Sequence, residues 1–423
     1  MRNNYTSAFL LSCGMAICTL QANAQTWDGT SEQWTKGDGT ASNPYIIENE
    51  AQFAQFAESV NKGEDFKGKT FRIARNLDFT GHTFPVIGKL DKYLSSETMD
   101  YVDESVYFLG TLDGDNHTLN GLSIDYFNEE LGGTGLFACS TEGTVVKNLI
   151  IGKSSKIEGG IVTGAFVGQM NGGTIENCLN QATVNAREYS GGIAGSVEAG
   201  SIIRCANTGS VTGTTEIGGI IGQGSGTATV TDCFNTAPVT ATGFGGGGIG
   251  GALYDSFAIK NCYSTGKIVG ESSQYLGSPH AVVSDAISNS TVTDCYYVST
   301  LSGVEDERAK AISEEEMKSD GFVETLNAKA SSADAFAKDE KGSNGGFPIL
   351  TWMKSIVAGI HSATAPSEDA NITVDGRNLS SETTMQAYDL AGRLIATGKE
   401  LHLDAGTYIV KAGTKSVKIS IAE

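Results

Sequence analysis

Five cysteines recur at nearly constant spacing, and thiols are side chains that can form disulfides or bind metals. Cys178, Cys205, Cys233 and Cys262 follow one another at 27, 28 and 29 residues, and Cys295 continues the series. No pair has the Cys-x-x-Cys spacing of a zinc site, so zinc is not expected. If equivalent residues stack, their side chains point the same way, which disfavours the near-90° dihedral of a disulfide. The spacing favours buried free thiols, with one strained bridge as the alternative.

Two other segments contain residue types that are common in metal and nucleophile sites. Asp113-Gly-Asp115-Asn116 places oxygen ligands as at the start of a calcium loop, but the remaining ligands of such a loop are missing. Ser225 lies in a glycine-rich segment without the glycine offsets of a nucleophile elbow. We expect turns at both places, and we predict no catalytic residue, no metal site and no cofactor.

A polar residue precedes each cysteine of the series, and another precedes the equivalent Leu149. These residues are Asn148, Asn177, Arg204, Asp232, Asn261 and Asp294. Arg204 would lie one coil from Asp232, where an exposed ion pair stabilises by less than about 1 kcal/mol. The enzymatic alternative is a polysaccharide lyase or glycosidase with acidic and basic residues on neighbouring coils. Such an enzyme needs carboxylates that converge in a cleft, and the sequence offers no clear pair.

The composition limits the class of protein and of partner. The 423 residues include 54 glycines but only 6 prolines, and the formal net charge is −20. A nucleic acid or an anionic membrane surface would need a surplus of Lys and Arg, so neither is expected as a partner. Basic proteins, neutral glycans and cations remain.

The cysteines belong to a longer repeat with a period near 28 residues. Its five aligned segments are Gly135-Leu-Phe-Ala-Cys139, Gly164-Ala-Phe-Val-Gly168, Gly191-Gly-Ile-Ala-Gly195, Gly218-Gly-Ile-Ile-Gly222 and Gly247-Gly-Ile-Gly-Gly251. A degenerate copy begins at Ala281. An apolar residue lies six positions after each of four cysteines, at Val184, Val211, Val239 and Ile268. Short Val, Ile and Thr runs with Gly and Asn turns, and no helical periodicity, predict one coil of a right-handed parallel β-helix per repeat.

Stacked coils lie about 4.8 Å apart, so equivalent residues should form columns along the axis. Ile193, Ile220 and Ile249 should form one internal column. The cysteines and the series from Val184 to Ile268 should form two more. Asn180, Asn207 and Asn235, each two residues after a cysteine, predict an asparagine ladder at a corner where Asn tolerates left-handed backbone.

With these segments in place, the sequence resembles the GLUG-motif repeat proteins, which occur on and outside many bacteria and as accessory regions of IgA-peptidase-like proteins. The first coils also match that family, at Gly37-Asp-Gly-Thr40 with Asn43-Pro-Tyr-Ile46, at Asn76-Leu-Asp78, and at Gly110-Thr-Leu-Asp-Gly114 with His117-Thr-Leu-Asn-Gly-Leu122. The resemblance implies a fold more firmly than an activity.

The ends of the β-helix need covers because a β-helix otherwise exposes unpaired sheet edges. Asn49 with Gln52 predicts an N-capped helix that runs to Val60. A second helical stretch begins at Ser313-Glu-Glu-Glu316, and Phe322 to Asn327 offers apolar cover, whereas residues 329–344 are predicted to form a mobile polar loop.

The two termini predict export. Residues 1–24 are a predicted signal peptide, and a lipoprotein at Cys13 is the alternative. No transmembrane segment is predicted. The β-helix with its caps is assigned to residues 25–355, a linker to 356–380 and a small β-sandwich to 381–423.

The last module resembles the C-terminal sorting domain of type IX secretion substrates in Bacteroidota. The matching residues are Asp389, Gly392, Arg393, Gly406 and Tyr408. The resemblance implies the type IX machinery as a partner and the outer-membrane surface or the medium as the location. A permanent small domain is the alternative.

These features together predict an exported, non-catalytic, adhesin-like protein whose acidic β-helix binds a basic host protein or a glycan. Tyr275, Tyr296 and Tyr297 are possible exposed anchors, although packing within the last coils is the competing interpretation. A structural spacer in a surface layer and the β-helix enzyme are the other hypotheses.

Overall fold

The computed structural model describes residues 27–94, 100–127, 132–273, 277–359, 372–375, 378–388, 394–403, 406–412 and 415–421. The predicted signal peptide lies outside these residues, and so do Tyr275, Asp389, Gly392 and Arg393. Within the described ranges, no helix is long and apolar enough to cross a bilayer.

The chain winds into a β-solenoid of about eight turns, which confirms the predicted parallel β-helix. A long sheet of 20 strands and two narrower sheets of six and four strands form its faces, and the strands of successive coils pair in parallel. Because each strand pairs with its equivalent one coil later, the sequence period becomes a spatial column.

The strands are numbered in chain order and group by sheet. The long sheet contains β1 Tyr45–Ile47, β2 Thr70–Ile73, β3 Leu77–Asp78, β6 Thr111–Asn120, β9 Phe137–Ser140, β10 Val145–Ile151, β13 Val167–Glu176, β14 Leu179–Asn180, β17 Ala194–Ile203, β18 Ala206–Asn207, β21 Ile221–Gly224, β22 Thr229–Thr231, β23 Phe234–Asn235, β25 Gly250–Leu253, β26 Ala258–Lys260, β27 Tyr263–Ser264, β29 Val283–Ala286, β30 Thr291–Thr293, β31 Tyr296–Tyr297 and β32 Lys310–Ala311. The second sheet contains β7 Ser123–Tyr126, β11 Lys156–Gly159, β15 Thr183–Asn185, β19 Val211–Gly213, β24 Val239–Phe244 and β28 Ile268–Glu271. The third contains β8 Gly133–Thr134, β12 Val162–Gly164, β16 Glu188–Gly191 and β20 Thr215–Gly218.

The remaining elements lie outside these three sheets. They are the hairpin β4 Lys92–Leu94 and β5 Tyr101–Asp103, the pair β33 Phe336–Ala337 and β34 Ile349–Leu350, and the helices α1 Glu50–Asn61, α2 Ser299–Ser302, α3 Glu314–Met317, α4 Asp320–Asn327 and α5 Met353–Gly359. The C-terminal strands are β35 Ile372–Asp375, β36 Asn378–Tyr388, β37 Leu394–His402, β38 Gly406–Ala412 and β39 Lys415–Ile421.

The interior of the solenoid is built from stacked apolar columns. Ile193, Ile220 and Ile249 are fully buried and connected by backbone hydrogen bonds from coil to coil. The series from Val184 to Ile268 pairs in register and is buried too. Each column removes its side chains from water once per coil, so stability accumulates along the axis.

The cysteines form a third internal column. Cys178, Cys205, Cys233, Cys262 and Cys295 are buried and free. The amide of Cys205 donates to Sγ of Cys233 at 3.3 Å, and the amide of Cys233 donates to Sγ of Cys262 at 3.4 Å. Burial raises the pKa of the Cys178, Cys233 and Cys262 thiols well above the ordinary value. The thiols therefore pack as uncharged small side chains.

The asparagine ladder lies beside this column, but its backbone differs from the prediction. Nδ2 of Asn180 donates to Oδ1 of Asn207, and Nδ2 of Asn207 donates to Oδ1 of Asn235, both at 2.8 Å. These three residues lie in short strands, and the predicted left-handed backbone is not at their positions. The left-handed backbone occurs instead at the polar residue before each cysteine and before the equivalent Leu149, where φ lies between 51° and 56° in six successive coils. These residues are Asn148, Asn177, Arg204, Asp232, Asn261 and Asp294.

The second glycine of the Gly-Gly-Ile segments is explained by this ladder. A Cβ atom on Gly192 would lie 2.4 Å from Cγ of Asn207, and one on Gly219 would lie 2.4 Å from Cγ of Asn235. The amide side chains of Asn207 and Asn235 thus pack directly against the backbone of these glycines, so glycine and asparagine form one contact in these two repeats.

One position of the sequence alignment is wrong. Cys139 was placed opposite Gly168, but it pairs with Gln169, because the register between the two coils shifts by one residue after Thr134. Cys139 is buried, its Sγ donates to the carbonyl of Lys89 at 3.3 Å, and burial raises the pKa of its thiol to about 12.

The predicted N-terminal helix is α1. Oδ1 of Asn49 accepts from the amide of Gln52 at 2.9 Å, and Oε1 of Gln52 accepts from the amide of Glu48 at 2.8 Å. Phe53 and Phe56 are fully buried and belong to the aromatic core of the first coils. The helix therefore closes this end of the apolar interior.

The C-terminal cover has two parts. Around the last coil, β32 pairs with β31, and Oδ2 of Asp306 accepts from the amides of Val282 and Val283 at 3.1 and 2.9 Å. Residues 313–359, which we call the strap, continue along the side of the solenoid and pack on Tyr263 and Phe234. The predicted helices are present as α3 and α4, and they cover the side wall as well as the end region.

The strap also corrects a second prediction. Residues 329–344 were predicted to be a mobile polar loop, but they are held at several points. The amide of Ser331 donates to Asp232, Ala335 and Phe336 are buried, and the carboxylate of Asp339 accepts from the amides of Ser343, Asn344 and Gly346. Buried polar anchors order this segment although its composition is typical of a loop.

The C-terminal module is antiparallel β-structure, as predicted, but its described strands form one sheet and not the two packed sheets of a β-sandwich. In this sheet β36 pairs with β35, β37 and β38, and β38 pairs with β39. Leu379, Met385, Ala387, Leu401, Leu403 and Val410 make its small core. The predicted linker, residues 356–380, contains the end of α5 and the strand β35.

Candidate functional site

An outward-facing column on the long sheet is apolar although it lies on the outside of the solenoid. The residue after each cysteine, or after Leu149, provides it, and the column reads Ile150, Leu179, Ala206, Phe234, Tyr263 and Tyr296. The strap covers this column with Phe322, Leu326, Phe336, Phe347 and Met353. Two residues of the covered column, Ile150 and Leu179, line the groove described below.

Polar anchors fix the strap beside the left-handed corner. The carboxylate of Asp232, which is fully buried, accepts from Nδ2 of Asn261 at 2.5 Å and from the amide and hydroxyl of Ser331. Nδ2 of Asn261 also donates to the carbonyl of Leu326 at 3.0 Å, and Nε1 of Trp352 donates to the carbonyl of Arg204 at 3.0 Å.

The expected ion pair between Arg204 and Asp232 does not form. The guanidinium of Arg204 pairs with Glu176 in the preceding coil and donates to Oδ1 of Asn177 at 3.0 Å. The carboxylate of Asp232 accepts a hydrogen bond from the amide of Ser331 in the strap. Neither residue is therefore free to act in the lyase-like or glycosidase-like manner considered for them.

A groove runs between the strap and the outer face of the long sheet, which we call the wall. The upper cavity of this groove measures about 600 Å³. One side is a row of polar residues three positions after each cysteine, with Gln181, Thr208, Thr236 and Thr265 in successive coils. The other side is mainly apolar, with Leu301, Phe347, Met353 and Ile356, and Ser343, Asn344 and Gly345 of the strap complete it. The cavity therefore combines hydrogen-bonding groups at coil spacing with apolar contact area.

The lower cavity, of about 540 Å³, is more polar. It shares Leu179, Gln181 and Ile356 with the upper one, so the two cavities meet at α5. Its other lining residues are Asn76, Asp115, Asn116, His117, Thr118, Asn120, Ile150 and Ser355. Both volumes lie in the range of small-molecule sites.

One residue that lines the lower cavity has an unpaired acceptor. Oδ1 of Asn116 is buried from solvent and has no hydrogen-bond partner among the described residues. Asp115 and Asn116 both have left-handed backbone, with φ of 48° and 63°, so the chain bends within β6 where a turn was expected. Oδ1 of Asn76 is held by the amide of Thr118 at 2.9 Å. Because a buried polar atom is costly when unpaired, this acceptor of Asn116 destabilises the fold locally.

The lower cavity is also lined by one histidine, His117, whose imidazole is neutral. Desolvation lowers the pKa of His117 below its ordinary value, against the opposing attraction of Asp115. At neutral pH the imidazole therefore offers one donor and one acceptor. Among the described side chains, no group of three or more His, Cys, Asp or Glu residues is arranged to hold a metal ion.

A separate polar cluster lies where the third sheet meets β21 and β25. Oε1 of Glu216 accepts from the hydroxyl of Tyr254 at 3.0 Å, and Oε2 accepts from Nε2 of Gln223 at 3.1 Å. Burial raises the pKa of Glu216, and the negative charges of Asp285 and Glu188 act in the same direction. This carboxyl holds its proton to higher pH than an exposed glutamate does.

We expect Glu216→Gln to make the protein more stable at neutral pH. A carboxyl whose folded-state pKa is raised favours the fold at pH below its unfolded pKa, and this contribution is lost as the pH rises through the folded pKa. An amide removes the cost and can still accept from Gln223 and donate to Tyr254. Urea unfolding from pH 4 to 8 should show the advantage of the variant growing with pH. Glu142→Gln, at an exposed position, is the control, and equal pH profiles for both variants would contradict the assignment.

The two described tyrosines that were considered as surface anchors are buried instead. Tyr296 packs edge-on against Phe322 with ring centroids 5.0 Å apart, and the Tyr297 hydroxyl donates to Glu305 at 2.6 Å. Of the residues predicted for the sorting motif, Gly406 and Tyr408 lie in β38. The groove residues Gln181, Thr208, Thr236 and Thr265 were missed, although they follow the cysteines at a constant offset of three.

Comparisons with known proteins agree with this architecture. No family model matches the chain. A stretch of 186 residues is 28% identical to halomucin of Haloquadratum walsbyi, and the match covers 41% of this chain but 2% of the length of halomucin. A crystal structure from Bacteroides ovatus, of a protein to which immunoglobulin A1 protease activity is provisionally ascribed, aligns with a TM-score of 0.54.

That alignment has 21% sequence identity and covers 75% of this chain and 95% of the other. The likeness shows the β-helix fold. A second solved structure, of an IgA1 protease, aligns with a TM-score of 0.39 and 16% identity, over 59% of this chain and 19% of that protein.

Proposed function

We propose that this protein is an exported, non-catalytic binding protein whose groove holds a neutral, extended glycan. The observation that carries the proposal is the groove itself. It aligns Gln181 and three threonines at coil spacing opposite the apolar side chains of the strap, and it continues into the more polar lower cavity. Sugars present alternating hydroxyl groups and apolar ring faces, which match such a lining.

The wall favours side-chain recognition over strand addition. Thr208, Thr236 and Thr265 lie on coils whose backbone amides already donate to the preceding coil, at 2.8 to 3.0 Å. A peptide that binds as an added strand needs free backbone groups at a sheet edge. Among the lining residues, Asp115 is the charged one, so a neutral ligand fits better than an ionic one.

The groove can be tested with the mature protein and a panel of hexasaccharides: cello-, malto-, xylo- and chitohexaose, with hexagalacturonate as the acidic comparison. Thr236→Val removes one hydroxyl at constant shape and should weaken the preferred neutral ligand about tenfold, which corresponds to about 1.4 kcal/mol. Thr183→Val, exposed on the second sheet, is the matched control. No binding to any neutral oligosaccharide, or equal effects of both variants, would overturn the proposal.

Catalysis is the competing outcome of the same experiment. Asp115, His117 and Ser355 all line the lower cavity, and the protease name of the structural neighbour makes peptide cleavage worth measuring. Loss of intact oligosaccharide or of a casein substrate, abolished by His117→Ala, would replace the binding proposal with an enzymatic one. Self-association without ligand capture would favour the structural spacer.

For export we propose a signal peptide over residues 1–24 and passage across the outer membrane by type IX secretion. The support is the resemblance of the last module to sorting domains and its antiparallel strands, with Gly406 and Tyr408 at the start of β38. Deleting residues 381–423 in the native host should keep the protein inside the cell envelope. Unchanged secretion of the truncated chain would make the module a permanent small domain.

A further inference from the structure

A second surface, on the second sheet, combines an exposed aromatic ring with acidic side chains. Phe127 follows β7 and is 64% exposed. It lines a shallow cavity of about 300 Å³ together with Asp125, Glu158, Gly159, Asn185, Ala186 and Arg187. An exposed aromatic ring beside a cavity that is lined by acidic side chains is a candidate interaction surface.

The solenoid register fixes the polar side of this cavity. Asp125, Glu158 and Asn185 pair in successive strands of the second sheet, so they stack at coil spacing of about 4.8 Å. The three side chains thus present oxygen atoms in a row beside the ring of Phe127. A rigid sheet holds the row in place, and no rearrangement is needed to form it.

The charges around the cavity leave Asp125 as its uncompensated group. Glu158 pairs with Lys156 at 2.6 Å, and Arg187 lies 3.5 Å from Glu188. Among the described residues, Asp125 makes no ion pair. An aromatic ring, a free carboxylate and an amide oxygen are the three groups that surround a bound ammonium or guanidinium ion in proteins.

Other aromatic rings are exposed on β7 and on the β4–β5 hairpin. Tyr126, next to Phe127 in the chain, is 43% exposed. On that hairpin Tyr93 and Tyr101 are 44% and 87% exposed. Exposed tyrosines are typical of protein interfaces, in which aromatic rings supply contact area at low entropic cost.

We propose that the cavity beside Phe127 receives an arginine or lysine side chain of a basic polypeptide partner. The cation would lie against the ring of Phe127, with Asp125 as counter-ion and Oδ1 of Asn185 as acceptor. The net charge of −20 would steer such a partner toward the chain, and the exposed tyrosines would contact its neighbouring residues. This surface is separate from the groove and does not depend on glycan binding.

The test uses the mature protein and fluorescent hexa-arginine, hexalysine and hexaglutamate peptides, measured by anisotropy at 50 and 150 mM salt. We expect the two basic peptides to bind and hexaglutamate not to bind. Phe127→Leu, which keeps the apolar bulk without the ring, and Asp125→Asn should each weaken hexa-arginine binding by five-fold or more.

Two control variants separate the site from general attraction to an acidic protein. Ile287→Ala changes another exposed apolar residue, and Asp255→Asn removes an exposed charge in a left-handed turn that asparagine tolerates. Both should bind hexa-arginine like the unmodified protein. The proposal is overturned if neither basic peptide binds, or if Asp255→Asn and Asp125→Asn weaken binding equally. Oligosaccharide binding in the groove should be the same for Phe127→Leu and for the unmodified protein.

Discussion

Replacing Asn207 by alanine should destabilise the solenoid by about 3 to 5 kcal/mol, one of the two largest effects expected for a single substitution. Nδ2 of Asn207 donates to Oδ1 of Asn235 and to the carbonyl of Gly209, both at 2.8 Å. Its Oδ1 accepts from Nδ2 of Asn180 at 2.8 Å and from the amide of Gly209 at 3.3 Å. Alanine would leave these buried groups unpaired, at about 1 to 3 kcal/mol each, and would add a cavity.

The measurement is the free energy of unfolding from urea titration, combined with hydrogen exchange to locate the loss in the coils around Asn207. Ser264 provides a control in the same column, because it pairs with Asn235 one coil later. Its hydroxyl is buried without a hydrogen-bond partner among the described residues. Ser264→Ala should therefore be neutral or slightly stabilising. If both variants lose the same stability, the ladder acts through packing volume and not through its hydrogen bonds.

Tyr263→Ala should release the strap from the wall. Tyr263 is fully buried, stacks on Phe234 with ring centroids 5.1 Å apart and contacts Phe322 edge-on. Its hydroxyl donates to the carbonyl of Pro348 and accepts from Nδ2 of Asn344 at 2.9 Å. Removing a buried ring of this size costs about 3 to 5 kcal/mol, and here the loss falls on the contact between two parts of the chain.

Limited trypsin digestion should detect the release. Lys329, Lys338 and Lys341 lie in the strap and should be cut in the variant while the coils remain intact. Tyr263→Phe keeps the ring and loses the two hydroxyl bonds, so its strap should stay largely protected. Tyr101→Ala, at a position that is 87% exposed, should digest like the unmodified protein. Unchanged protection in Tyr263→Ala would mean that Asp232, Asn261 and Trp352 alone hold the strap.

The two variants also separate the solenoid from the groove. Asn207 supports the interior on which every coil depends, whereas Tyr263 supports the second wall of the groove. If the groove binds the ligand, Tyr263→Ala should lose oligosaccharide binding even under conditions in which the coils remain folded. This outcome is expected because Phe347, Met353 and Ile356 line the upper cavity from the strap side.

Local spacing in the sequence was sufficient to predict the solenoid. In a parallel β-helix, residues one period apart become direct neighbours, so the cysteine spacing, the Ile193 column and the asparagine ladder follow from the repeat. The N-cap at Asn49 was predictable because a capping contact joins residues only three apart in the sequence. The misaligned Cys139 marks the limit, because a one-residue register shift leaves no trace in composition.

Only the tertiary structure decided what covers the outer wall. In the sequence, the apolar residues Phe234, Tyr263 and Tyr296 are indistinguishable from ordinary strand alternation. The strap that buries them is distant in the sequence, as in the bond from Tyr263 to Pro348, which are 85 residues apart. Asp232 pairs with Ser331, 99 residues away, and not with the neighbouring Arg204. No periodicity connects such partners, because the strap is not part of the repeat. The period of the repeat therefore encoded the fold, while the groove depends on long-range contacts between the strap and the solenoid that the period does not contain.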